Sequence, residues 1–210
     1  MPTPTTPSAR EPHARPATIA DAMAIAPVLA RAFHVDPIFL WLLPDEGSRP
    51  ARLTRLFAAV ARHMYLPHGA SFTFDGHEGA ALWAPPRTAP LTASSALLLG
   101  PDVLRALGGS VLRGGRLLSA VARHHPRQPY HYLGVLGVDP AFQGRGLSTR
   151  LLRPTLDRAD AEGTPCFLET ATESNVSLYR RFGFDVTREL RLPGAPVVWL
   201  MTRPPRARDR

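Results

Sequence analysis

One stretch constrains this chain more than any other. Residues 136–152 read LGVDPAFQGRGLSTRLL. A buried apolar strand ends at Val138, Asp139-Pro140 turns the chain, and Gln143-Gly144-Arg145-Gly146 runs directly into an amphipathic helix carrying Leu147, Leu151, Leu152 and Leu156. Glycines here let the backbone approach a ligand closely. The unpaired N–H groups of the first helical turn point outward, the helix dipole favours negative charge there, and Arg145 adds a cation. That is the chemistry of a pyrophosphate site. The alternative is an ordinary Gly-rich turn that caps a helix. The pattern is neither a Walker loop, since no Gly-Lys-Ser/Thr follows, nor a G-x-G-x-x-G dinucleotide fingerprint.

Around this stretch the periodicity predicts a mixed α/β (α+β) domain with a central sheet. Thr18-Ile-Ala-Asp21 resembles a capping box, followed by Ile25, Val28, Leu29, Ala32 and Phe33 at helical spacing, with Pro27 a point of kinking or late start. An unusually apolar loop is expected at 34–47, HVDPIFLWLLPDEG, and a helix at 50–66. Strands are expected at 71–75 and 80–84, joined through Gly76-His-Glu-Gly79. The Leu-rich stretch 91–123 reads as helical, broken at Gly100-Pro101, Gly108-Gly109 and Gly114-Gly115. Then follow a strand at 130–138, a helix at 147–162, a strand at 165–170, a short helix at 175–182, and strands at 184–192 and 197–202. With 210 residues the chain fits one domain, expected over 14–204, with flexible tails at 1–13 and 205–210.

Composition excludes several classes. The apolar runs are short and broken by Arg, Gly or Pro, so no membrane span is expected. The Pro- and Thr-rich N-terminus has no apolar core of a secretory signal. The single cysteine, Cys166, cannot form an internal disulfide and suits the cytoplasm. The formal charge is +8, and every basic residue is Arg, a pattern that, with abundant Ala, Pro and Gly, reads as GC-rich bacterial coding bias. The arginines are scattered rather than striped, so solvated surface is preferred over a nucleic-acid face. No Cys/His set with ligand spacing exists, so no metal site is expected.

A second stretch, FLETATESNVSLYRRFGF at 167–184, places Asn175 and Tyr179 at i, i+4 on one helix face. An amide beside a phenol can bond a ligand and deliver a proton; read alone, the tyrosine is an ordinary packed residue. The two stretches together resemble the GNAT N-acetyltransferase superfamily. Residues 130–203 look more specifically like its puromycin N-acetyltransferase branch, through His131-Tyr-Leu133, LGVDPAFQGRG, FLETATESNVSLYRRFGF and Val198-Trp-Leu-Met-Thr-Arg203. Weaker likeness reaches back through GAALWAPP at 79–86 to ARPATIADA at 14–22.

The resemblance implies a single GNAT-type domain whose largely antiparallel sheet splays between its fourth and fifth strands. It implies acetyl-CoA as cosubstrate, with the pantetheine arm against Leu136, Gly137 and Val138 and the pyrophosphate against Gln143, Gly144, Arg145, Gly146, Leu147 and Ser148. Ser148 stands where the family usually has Gly or Ala. Asn175 matches the residue that bonds the arm, and Tyr179 the general acid for the departing thiolate. The implied function is direct acetyl transfer to a primary amine of a small molecule, without a covalent enzyme intermediate. The rival readings are a protein or peptide acceptor and a non-catalytic acetyl-CoA sensor.

The chemistry adds residues of its own. An alkyl ammonium of pKa ~10 must lose a proton before it attacks. Glu169 ends an apolar strand, where burial raises its pKa, and is read either as that base or as a group that only orients the substrate. Tyr179 is expected to donate from its ordinary value of ~10. Cys166 reads as a buried core thiol and His131 as structural, with a second base as its alternative. Asp36, Phe39, Trp41 and Trp83 are expected to line the acceptor site, an apolar wall with one anion; the alternative is that the 34–43 loop roofs the core or makes a dimer contact. Either a monomer or a homodimer is compatible with the chain.

Overall fold

The computed structural model describes residues 12–88 and 93–206, with the backbone alone at 93–98. Most of the expected tails, 1–11 and 207–210, lies outside the described residues. Pro12, placed in the N-terminal tail above, is tied down: its carbonyl accepts from Arg150 at 2.9 Å.

The strands are β1 (Arg15–Pro16), β2 (Phe72–Thr73), β3 (Gly79–Ala84), β4 (His131–Val138), β5 (Cys166–Thr170), β6 (Asp185–Leu190) and β7 (Val198–Arg203). They form one sheet in the order β1-β2-β3-β4-β5-β7-β6. Every neighbouring pair is antiparallel except β4–β5. That parallel pair holds register only at His131–Cys166, Tyr132–Phe167 and Leu133–Leu168. β4 runs on to Val138 along β3, so its second half parts from β5, and the expected splay is there.

The helices are α1 (Ala22–Ala32), α2 (Pro37–Leu42), α3 (Arg49–Val60), α4 (Ala93–Leu107), α5 (Val111–Ala122), α6 (Leu147–Glu162) and α7 (Glu173–Arg180). The capping box ahead of α1 is formed: the Thr18 N–H and hydroxyl both donate to Asp21 Oδ2, at 2.8 and 3.0 Å. Arg15 clamps the same carboxylate at 2.8 Å, holding Asp21 well below the usual carboxylate range.

Two expectations are corrected. The 34–47 segment is not all loop: Asp36 Oδ1 accepts from the Ile38 N–H at 2.9 Å and Pro37 sits in the first turn, so a single-turn-scale helix, α2, forms there. Of the three expected breaks in 91–123, only the one at Gly108–Ser110 exists, where Gly108 takes φ 53°. α4 passes through Gly100-Pro101 and α5 through Gly114-Gly115. The helix from 50 onward is regular to Val60 and then widens into a π-turn over Ala61–Tyr65.

The sheet separates two cores, and strand alternation assigns residues to them. Ala80, Leu82, Tyr132, Val135, Phe167 and Leu200 face Ile25, Leu29, Leu53 and Phe57 of α1 and α3. Ala81, Trp83, Leu133, Leu168 and Met201 face Leu151, Leu152, Val176 and Tyr179 of α6 and α7.

Candidate active site

The Gly-rich turn is built to present backbone amides. Asp139 caps a short turn at Pro140–Phe142 by accepting from the Ala141 N–H at 3.0 Å, and Arg31 of α1 pins the same carboxylate at 2.5 Å. The Gln143 side-chain amide donates to the Val138 carbonyl at 3.0 Å and fastens the turn to the end of β4. Gly146 then takes φ 72°, a left-handed conformation that side chains resist, and its carbonyl accepts from Thr149 and Arg150 to start α6. The amides upstream of Thr149 are left for a ligand, with the helix dipole behind them. Space is open beside Gly144 and Gly146, and Arg145 lies exposed over the Phe142 ring at 5.2 Å. Leu147 is buried and acts through its backbone, while Ser148 is half-buried. The residues fit an anionic pyrophosphate.

Past Leu133 and Leu168 the parted strands leave β4 backbone at Leu136, Gly137 and Val138 without a β5 partner. Glu169 lies just beyond that point. Tyr132 Oη donates to Glu169 Oε1 at 2.5 Å, while Oε2 is buried without a partner among the described residues. Desolvation pushes the Glu169 carboxyl up to about 7, although the Tyr132 donor pulls the other way. Tyr65 packs beside Tyr132, ring centroids 6.4 Å apart, and needs Gly134: a Cβ there would fall 1.9 Å from the Tyr65 hydroxyl. His125 and Tyr130 extend this aromatic cluster, with Nδ1 and Oη 2.6 Å apart.

Tyr179 approaches from the other face of the sheet. Burial first, then the charges of Glu169 and Asp36, raise its phenol well above 10, so the expectation of an ordinary value is corrected. Asn175, on the same face of α7, donates weakly to Thr170 Oγ1 at 3.5 Å and is half-buried.

The four residues expected at the acceptor site separate. Asp36 caps α2 and accepts from the Thr172 hydroxyl at 3.3 Å, tying α2 to the start of α7; burial raises its pKa. Phe39 packs in a ring cluster with Phe33 and Phe57, at 5.8 and 5.5 Å. Trp41 is half-buried and lines a cavity of about 720 Å³ between α2, α5 and the β6–β7 connection. Trp83 is corrected: it is 0% exposed and belongs to the α6 side of the sheet, because it alternates with Leu82 and Ala84, which face α1 and α3.

His131 also points to the α6 side, where Nε2 lies 2.9 Å from Glu162 and the residue is 1% exposed, so it is structural. Cys166 is fully buried with its thiol pushed up to about 12, which removes it as a nucleophile. Sequence reasoning missed Tyr132, Tyr65, Thr172 and the β6–β7 connection. Tyr132 was legible only as an alternating strand residue; its contact with Glu169 depends on the parallel register of β4 and β5.

Residues 86–184 match the model of the acetyltransferase (GNAT) family. That stretch, just under half of the chain, is similar to a GNAT-family domain. The chain resembles a solved histone acetyltransferase HPA2 and related acetyltransferase from Corynebacterium glutamicum, with a TM-score of 0.70 and 28% identity over 95% of this chain and 99% of that one. It shares its fold with arylalkylamine N-acetyltransferase 2 from Aedes aegypti, at a TM-score of 0.63 and 12% identity over 94% and 100% of the two chains. Among curated proteins it is 41% identical over 77 residues to the N-alpha-acetyltransferase RimI of Mycobacterium tuberculosis, covering 34% of this chain and 48% of that protein. The chain thus spans about half the length, or less, of the curated relatives it matches.

Proposed function

We propose that the domain transfers an acetyl group from acetyl-CoA directly to a primary amine of a small molecule. The observation that carries this reading is the buried Glu169 carboxyl, one oxygen held by Tyr132 and the other without a partner among the described residues, just past the point where β4 and β5 part. Acetyl-CoA, when bound, supplies a thioester carbonyl and a thiolate leaving group. The turn from Gln143 to Ser148 holds its pyrophosphate, and Asn175 with the β4 backbone at 136–138 holds its arm.

Glu169, with a pKa of about 7, accepts the proton that an acceptor ammonium must shed at neutral pH. Tyr132 fixes one carboxylate oxygen and leaves the other free for that proton. The carbon–nitrogen bond forms as the carbon–sulfur bond breaks, Tyr179 gives its proton to the sulfur, and the proton that the new amide nitrogen sheds restores the phenol, while Glu169 returns its proton to solvent. Burial is the main cause of the raised Tyr179 pKa, and the Glu169 charge adds to it.

The cavity beside Trp41, at about 720 Å³, has the size of a small-molecule site. The likeness of 130–203 to the puromycin branch makes puromycin one acceptor to test. A cytoplasmic setting, with Cys166 reduced, suits the reaction. The RimI likeness favours a second reading, a protein N-terminus as acceptor. Release of CoA thiol is to be measured against puromycin, arylalkylamines, polyamines, amino acids and a peptide with a free N-terminus. Turnover of a small amine supports the first reading. Turnover of the peptide alone replaces it with the second, and acetyl-CoA binding without turnover of any amine removes both.

A further inference from the structure

The cavity beside Trp41 has a chemical character that the reaction does not require. α5 projects Arg113 and Arg116 into its lining and its C-cap residue adds Arg123, while Trp41, Leu112 and Leu192 give it apolar walls. No acidic side chain lines it among the described residues. Arg113 is held in place: its guanidinium lies over the Trp41 ring at 5.2 Å and donates to the Leu42 carbonyl at 3.0 Å and to Ser110 Oγ at 2.9 Å. Its Nε is buried without a partner among the described residues.

Glu169, Tyr132 and Tyr179 do not line the cavity, but two elements run from it toward the reaction site. Trp41 stands on α2, whose capping residue Asp36 reaches Thr172 at the start of α7. Leu192 packs on the same core face as Tyr130 and Tyr132.

Resting on the acetyltransferase reading above, we propose that this cavity holds the part of the acceptor remote from its amine, and that the three arginines select acceptors bearing an anionic group on an apolar or aromatic body. The acceptor class is an amine with a carboxylate, phosphate or sulfate at its far end. Guanidinium groups bind such oxyanions with charge-assisted, often paired hydrogen bonds, and an apolar wall strengthens them by excluding water. A polyamine fits poorly, because its second cation would enter a cavity lined by three others.

The test uses a matched pair, 4-(2-aminoethyl)benzoate and 2-(4-methylphenyl)ethylamine, which differ in a carboxylate against a methyl group. The expected result is a higher kcat/KM for the benzoate, and a fall of about tenfold in that preference for each of Arg116→Gln and Arg123→Gln. Both side chains sit on the exposed side of α5, so folding is checked simply by circular dichroism. Equal use of the two amines, or variants that lower both equally, overturns the proposal while leaving the acetyltransferase reading intact.

Binding is read separately from turnover, by quenching of tryptophan fluorescence with the benzoate in the presence of CoA, using Trp41→Phe to assign the signal. Quenching that vanishes in Trp41→Phe and weakens in the arginine variants, without turnover of any amine, keeps the anion site and removes the catalytic reading. No quenching and no preference overturns the site.

Discussion

The two sides of the β4–β5 gap are built on different terms. On the α6–α7 side the parts that the proposed reaction uses are backbone amides and one phenol, the amides fixed by local turns: Asp139 on Ala141, Gln143 on Val138, and a left-handed Gly146. On the α1–α5 side the working parts are side chains from distant segments: Tyr132 on Glu169, Asp36 on Thr172, Arg113 on Trp41. A cofactor whose phosphates never change can be met by a fixed backbone. An acceptor of particular shape and charge needs side chains, and these can be exchanged without disturbing the turn.

The comparison breaks most sharply at Tyr179. Tyr179→Phe removes only a hydroxyl, so the expected result is a fall in kcat of about 100- to 10,000-fold, with little change in acetyl-CoA affinity measured by titration. A variant that keeps its kcat would take the acid away from the α7 side.

Next are the two tryptophans, one on each side. Trp83→Ala empties a fully buried site and should cost about 3–5 kcal/mol of stability in denaturant melts, leaving acceptor KM unchanged. Trp41→Ala should do the reverse, raising acceptor KM with a small stability change. If Trp83→Ala moves acceptor KM in protein that remains folded, the two sides are not separate.

Glu169 sharpens the comparison through pH. Its folded pKa, about 7, lies above the ordinary 4.5, so the folded state binds the extra proton between these values. Stability is then full below about pH 4.5 and falls as pH rises to about 7. Glu169→Gln should gain about 3 kcal/mol over wild type above pH 7, and nothing below pH 4.5. The same variant should lose the rise in kcat/KM through pH 7. Thermal melts and rate profiles from pH 4 to 8.5 read both, and a flat stability difference would place Glu169 in water.

The smallest effect is expected at the turn. Gly146→Ala places a Cβ at φ 72° and should cost about 1–2 kcal/mol of stability in denaturant melts, with a raised acetyl-CoA KM and an unchanged acceptor KM.

Much of this was readable before folding. The glycines, the helix from Leu147 to Glu162 and the i, i+4 pair Asn175–Tyr179 are local, and local periodicity is enough to state them. The 34–47 segment was read as a loop because its apolar residues lack a helical repeat of useful length; Asp36 and Pro37 start a helix there by capping alone.

What the chain determined by itself was the set of elements and the amide-lined turn, because both rest on contacts between residues a few positions apart. What only the tertiary structure decided was which face each strand residue meets and which side chains converge. A strand alternates faces every residue, so Trp83 turns to the α6 side and Leu82 to the α3 side, and nothing in the sequence says which face holds the acceptor. The Glu169 carboxyl, likewise, owes its proton affinity to desolvation by packing around it and its hydrogen bond to Tyr132, on a strand 37 residues away in the chain.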